Sequence, residues 1–272
     1  MRILEYCLQS KWDFEIIFVE DGSTDRTADI VQQFALKESR IKLLSVPNHL
    51  GKGGSIKAAA LYCASKETVA YMDVDLSADP SELSTLISHI EDHDIVIGSR
   101  ILRGQLPRVK RPIHRSLLSL AYSLFFRLLF RIPIYDPQCG FKIFRRKVVF
   151  PLFDEIGTNG FAFDSEVIIK ASSLSLRIKE VPINWRHGKF STLNVIREIA
   201  SMGSDILLVW YDYHKSWKSG GKAYPQKRGS ILGRILFSLL NASPEIEQKY
   251  TRYLLNKTSA QTPLTAKPGG LP

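Results

Sequence analysis

Four short apolar runs in the first hundred residues, each closed by a turn and three of them followed by a helix-periodic segment, restrict this chain more than any other feature. Phe14–Glu20 predicts a strand, and Asp21-Gly22-Ser23-Thr24 after it is a turn and N-cap cluster. Asp25–Glu38 then places Ala28, Val31 and Ala35 at helical spacing. Ile41–Val46 predicts a second strand, and a helix opens at Gly51 and runs to Ala64. Thr68–Met72 predicts a third strand. Pro80 sits in the first turn of a helix reaching Glu91, where its missing N–H costs nothing, and Asp94–Gly98 predicts a fourth strand. This alternation with short connections predicts an α/β domain: a mostly parallel sheet with helices on both faces.

Past Arg100 the pattern changes. A basic loop leads into Ser116–Ile134, an apolar stretch that carries Arg127 and Arg131. It falls short of the roughly 20 uninterrupted apolar residues of a membrane span, so helix 113–132 is expected to lie on a membrane surface; a buried core helix is the competing expectation. Phe161–Leu174 and Thr192–His214 predict helices, with a short strand at Arg177–Pro182 between them. From Lys215 the composition shifts to Lys, Gly, Ser and Pro. The expected division is therefore a folded domain over 1–214 and a basic, partly disordered tail over 215–272. That tail holds ten Lys/Arg against Glu245 and Glu247, which is +8 of the chain's net +10. Such asymmetry suits an anionic surface. No helix-turn-helix or stacking pattern points to nucleic acid, and none is expected as a partner. Met1–Ser10 lacks the apolar core of a signal peptide, and three scattered cysteines do not make a disulfide framework.

Chemistry concentrates where strands end. Met72-Asp73-Val74-Asp75-Leu76-Ser77 puts two carboxylates two residues apart at the carboxyl end of the third strand, where open α/β sheets bind ligands. Such a pair can converge on a hard cation, Mg2+ or Mn2+, that keeps positions open for a diphosphate. Two aspartates at a strand end can equally cap the next turn. Asp21 at the end of the first strand could accept hydrogen bonds from a base or ribose, or the stretch Asp21 to Asp25 could cap the following helix. Gly51-Lys52-Gly53-Gly54-Ser55 lacks the spacing of a phosphate loop, yet a glycine-rich helix start with Lys52 favours an anion. Arg100, Arg115, Arg186 and Lys189 form the basic group, and arginine's planar fork suits phosphate oxygens.

Seven segments in order, VEDGSTD (19–25), GKGGS (51–55), MDVDLS (72–77), IGSR (97–100), DPQCGFK (136–142), FAFDSE (161–166) and EVPINW (180–185), resemble the family-2 glycosyltransferases of GT-A type that act on dolichyl or other polyprenyl phosphates. DPQCGFK and FAFDSE look closest to dolichyl-phosphate β-glucosyltransferase, with dolichyl-phosphate mannose synthase next. The resemblance implies an inverting transfer of a hexose, glucose from UDP-glucose ahead of mannose from GDP-mannose, onto the lipid phosphate. It implies Asp73 and Asp75 as catalytic metal ligands, and Asp21, Lys52 and Asp73 in the nucleotide-sugar site. Arg100, Arg115, Arg186 and Lys189 would hold the acceptor phosphate, while Asp136 and Glu166 would order nearby loops. With no stretch that reads as a membrane span, the expected setting is peripheral, on the cytoplasmic face of a membrane. Two departures stand out. Family members begin with a strand ahead of the point where this chain starts, which predicts an unfilled slot in the sheet, and they carry a C-terminal transmembrane pair not seen here. The alternative expectation is a non-catalytic binding subunit of the same fold, or a truncated inactive form.

Overall fold

The computed structural model describes residues 2–46, 49–102, 113–185 and 195–218. The tail from 219 onward lies outside them, as does most of the basic loop after Arg100. In chain order the elements are α1 (Arg2–Gln9), β1 (Ile16–Glu20), α2 (Thr27–Lys37), β2 (Ile41–Ser45), α3 (Gly51–Ala58), β3 (Thr68–Met72), α4 (Glu82–Ile90), β4 (Ile95–Ser99), α5 (Ile113–Phe130), β5 (Phe141–Arg145), α6 (Arg146–Phe153), α7 (Phe163–Ser173), β6 (Ile178–Pro182) and α8 (Val195–Lys218). The third helix closes in a wider π turn, Ala59–Cys63.

The larger sheet has the order β3-β5-β4-β6. Strands β3, β4 and β6 run one way, and β5, antiparallel to both its neighbours, runs against them. Every residue of β4 is buried, as expected of a central strand covered on both faces. Its side chains alternate between two cores. Ile95 and Ile97 join Phe126, Phe144, Phe153, Phe163 and Trp210 under α5–α8, whereas Val96 joins Leu86, Ile90, Phe141 and Ile143 under α4. Helices thus cover both faces, as the alternation of the sequence predicts.

Strands β1 and β2 form a separate parallel pair. Among the described residues no strand pairing joins β1 to β3. At the amino ends of the two strands a side chain bridges the interval instead, where Glu15 Oε1 accepts from the Ser65 hydroxyl at 2.8 Å and also from the Ser65 amide. Helix α2, packed on this smaller sheet, has no buried residue.

Helix α5 is buried on one side, as the core-helix expectation has it, and exposes leucines on another. Phe126, Leu129 and Phe130 enter the core, while Leu117, Leu120, Leu124 and Leu128, on another side, are 60%, 56%, 52% and 55% exposed. Among the described residues, no helix is long and apolar enough to cross a membrane.

Candidate active site

The site grows out of the end of β3. The chain leaves the strand at Met72 and turns at once, the Leu76 amide donating to the Asp73 carbonyl at 3.1 Å. Leu76 takes a left-handed φ of 49° to close this turn, a conformation that costs a non-glycine residue of the order of 1 kcal/mol and recurs at functional sites. Asp75 is fixed by the residue after the turn: the Ser77 amide donates to its Oδ1 at 2.9 Å and the Ser77 hydroxyl to its Oδ2 at 2.7 Å. Asp73 is half exposed, at 49% of its side chain. Both carboxylates therefore face solvent at the carboxyl end of the sheet.

Asp73 rests on ionic structure. Because β5 is antiparallel to β3, with Met72 opposite Phe141, Gly140 falls beside Asp73. The next β5 residue, Lys142, is fully buried and reaches Asp164 on the first turn of α7, 2.5 Å from its Oδ1, and the Cys139 carbonyl at 2.6 Å. Tyr71 donates to the same Oδ1 at 2.6 Å. Lys52 completes the group, with its Nζ 2.8 Å from Asp164 Oδ2 and 2.9 Å from Asp73 Oδ1. Burial works against the charge on Asp164, but Lys142 and Lys52 outweigh it and hold the carboxyl far below its usual range. Burial likewise opposes the charge on Lys52, and Asp164 and Asp73 overcome it.

The glycines around Lys52 serve packing. A Cβ on Gly53 would meet Phe163 at 2.5 Å, so their absence lets α3 approach the start of α7. The Gly53 and Gly54 amides donate to the Asn159 carbonyl, and the Leu50 and Gly51 amides to Asp21 at 2.6 and 2.8 Å. The amides that open α3 are thus largely committed within the protein, and the anion-seeking group at this end is the Lys52 ammonium. Asp21 serves as the cap of α3, not of the helix that follows it in sequence; that role falls to Asp25, which accepts from the Thr27 amide at 2.9 Å.

Arg100, just past β4, forks onto Asp136: Nε to Oδ2 and Nη2 to Oδ1, both at 2.7 Å, with the Arg100 amide adding a third bond at 2.8 Å. Its guanidinium lies 5.6 Å from the Trp185 ring centroid. Burial opposes the Asp136 charge, and Arg100 overrides it, keeping that carboxyl below its ordinary range. Glu180 in turn accepts from the Tyr135 and Asp136 amides at 2.9 and 2.7 Å. Arg115 lies in the first turn of α5, its side chain outside the described residues, and Arg186 and Lys189 also lie outside them. Glu166 accepts from the Gly157 and Thr158 amides and so orders the loop before α7. The structure brings Asp73 and Lys52 into contact. The residues with which sequence reasoning associated no role are Lys142, Asp164 and Gly140. The signal available was a charge at a core-facing position in each of two apolar runs, Phe141–Phe144 and Phe161–Ile169.

Among the described residues no three His, Cys, Asp or Glu side chains gather as a metal cage. Two hard carboxylates with solvent around them suit Mg2+ or Mn2+, which take waters and phosphate oxygens for their remaining positions, and do not suit a closed zinc site.

Known proteins resemble this chain in sequence and in fold. Residues 2–152 match the model of Glycosyl transferase family 2. Glycosyltransferase AglD of Haloferax volcanii is 31% identical over 229 residues, 84% of this chain and 35% of the relative. Dolichyl-phosphate beta-glucosyltransferase of Dictyostelium discoideum is 32% identical over 212 residues, 75% of this chain and 64% of the relative. The chain thus spans between about a third and two thirds of the length of these relatives. Glucosyl-3-phosphoglycerate synthase of Mycobacterium tuberculosis, solved with Mn2+, UDP and glucosyl-3-phosphoglycerate, superposes with a TM-score of 0.56 at 17% identity, covering 78% of this chain and 74% of that one. That likeness shows the shared GT-A fold. A family match over more than half of the chain, on a sheet that ends in the paired aspartates, means that this chain belongs to glycosyl transferase family 2.

Proposed function

We propose that this chain transfers a hexose, glucose from UDP-glucose ahead of mannose from GDP-mannose, with inversion, onto dolichyl or another polyprenyl phosphate. The observation that carries the reading is the Asp73–Ser77 turn at the end of β3, braced from below by Lys52 and Asp164. Asp73 and Asp75 would hold Mg2+ or Mn2+ against the donor diphosphate, and the ion would offset charge on the leaving nucleoside diphosphate. Lys52 adds a cation on the same side. A solved relative in fold was crystallised with Mn2+ and UDP, and several curated relatives act, by name, on dolichyl phosphate.

A lipid phosphate, with its second pKa near 6, is already an anionic nucleophile at neutral pH, so a protein base is not required. Positioning then does the work. Arg100, oriented by Asp136, with Arg115, Arg186 and Lys189, is proposed to hold the acceptor phosphate, and Asp21 to set the loop against the nucleotide. The leucines of α5 support a peripheral seat on the cytoplasmic face of a membrane, where such a phosphate would be presented.

The test is transfer of radiolabelled sugar from UDP-glucose, and separately from GDP-mannose, to dolichyl phosphate in vesicles, with Mn2+ and with EDTA. Label in the lipid phase that depends on the metal is expected. Label from neither donor, with a cooperatively folded protein, would sink the proposal.

A further inference from the structure

Lys52 stands where a cation on Asp73 would stand. Its ammonium is 2.9 Å from Asp73 Oδ1, and only 19% of its side chain is exposed. One side of the carboxylate lies against the backbone, where a Cβ at Gly140 would be 2.1 Å from Oδ2 and 2.7 Å from Oδ1, so Lys52 takes up part of what remains open to an ion. The group is balanced in charge, with Lys52 and Lys142 against Asp73 and Asp164. A divalent ion entering beside Lys52 would set like charges within a few ångströms of each other on one carboxylate.

We propose that Lys52 is an internal cation that competes with the divalent ion for Asp73, so that the free protein binds the ion weakly and takes it up together with the donor diphosphate, to which the ammonium transfers. The inference rests on the metal-and-diphosphate part of the proposed function, and not on the lipid acceptor.

The cluster is built to let Lys52 go. Asp164 Oδ1 is held by Lys142 and Tyr71, so withdrawal of Lys52 from Oδ2 does not leave the buried carboxylate without a counter-charge. Retention of Lys52 on Asp164 while it leaves Asp73 is a movement of the flexible end of one side chain. The backbone amides around it are mostly committed to Asn159 and Asp21, so a diphosphate arriving at this end of α3 meets chiefly the ammonium. Each partner then improves the site for the other: the ion displaces Lys52 from Asp73, and the diphosphate gives it a new anion, which is positive coupling between two ligands.

The experiment is Mn2+ titration without nucleotide, reading free Mn2+ by electron paramagnetic resonance, on the wild-type chain, Lys52→Met and Lys52→Gln. Gln keeps a hydrogen-bond donor for Asp164 and serves if the Met variant does not fold. Both variants should bind Mn2+ about tenfold more tightly than wild type, a gain of about 1.4 kcal/mol. The gain should survive 0.5 M NaCl, because a contact competition is screened far less than a long-range field. Saturating UDP or GDP should tighten Mn2+ binding more in wild type than in the variants. Unchanged or weaker Mn2+ affinity in folded variants overturns the proposal, and so does a gain that vanishes in salt. If the gain persists while neither nucleotide couples to Mn2+, the competition for Asp73 stands and the donor reading is what fails.

Discussion

Gly140 and Asp73 occupy one space: a methyl group on the glycine would stand 2.1 Å from Asp73 Oδ2. The antiparallel register of β3 and β5 creates this, because pairing Met72 with Phe141 sets the residue before β5 against the residue after β3. The cheapest response to an alanine at 140 is rotation of the half-exposed Asp73 side chain, not distortion of two strands. Gly140→Ala is therefore expected to lower kcat by about a hundredfold, the scale of a misplaced catalytic group, with a melting temperature within a few degrees of wild type. A folded variant with wild-type kcat would show that Asp73 is not needed where it lies.

Ser77 acts through Asp75. Its amide and hydroxyl each hold one carboxylate oxygen. Ser77→Ala removes one of these bonds, leaves the other, and should cost about tenfold in kcat/KM with a raised Mn2+ requirement, as supporting groups of metal ligands do. Asp75→Ala should abolish metal-dependent transfer, and EDTA should mimic it in the wild type. If excess Mn2+ restores nothing to Ser77→Ala, its role lies elsewhere.

Removing the Asp164 charge leaves Lys142 fully buried without its partner. Asp164→Asn should therefore destabilise the fold by about 3 kcal/mol or more in urea titration. A shift under 1 kcal/mol would mean that the cluster contributes nothing to the fold.

Lys57 gives a pH signature. It is 6% exposed, donates to the Ile156 carbonyl at 3.1 Å, and is pulled down from 10.5 to about 8 by burial, against the opposing pull of Glu166. Between those two values the unfolded chain binds more protons, so stability rises with pH; the penalty is complete below pH 8 and gone above 10.5. Wild type should gain on Lys57→Met by up to about 3 kcal/mol between pH 7.5 and 10.5, with every other titrating group cancelling in the difference. Parallel pH profiles would contradict the assignment.

Leu120 and Leu124 lie on the exposed stripe of α5. Replacing both with Glu should leave the urea midpoint close to wild type and sharply reduce flotation with anionic vesicles. High salt alone should weaken flotation only in part, since apolar burial is not screened. Undiminished flotation of the double variant would assign membrane contact to another surface.

Much of this was legible in the sequence, because a strand covered on both faces reads as a short apolar run and a helix covered on one side as a helical period. Thr68–Met72 came out with its observed bounds, and Ile41–Val46 and Asp94–Gly98 within a residue at each end. The role of β5 was not legible: Phe141–Arg145 is a run with a lysine at its second position, and only the pairing that delivers Lys142 to Asp164 explains the charge. At Asp21 the limit is one of range: the fold brings α3 to its side chain from thirty positions on, a contact that local spacing does not contain. The readings of Arg186 and Lys189 lie outside the described residues.

The division between β1 and β3 also has a consequence for how the molecule opens. A strand such as β4, buried throughout and paired on both sides, can release its amides only when most of the domain lets go. The pair β1–β2, mostly half-buried or exposed, with an α2 that has no fully buried residue, is fastened to the larger sheet partly by side chains such as Glu15 on Ser65 and Asp21 on the start of α3. This half forms the weaker cooperative unit, able to part from the rest without global unfolding. Asp21 would leave with it, while Asp73 and Asp75 stay on the stable side, so the two edges of the proposed donor site belong to regions of different opening free energy.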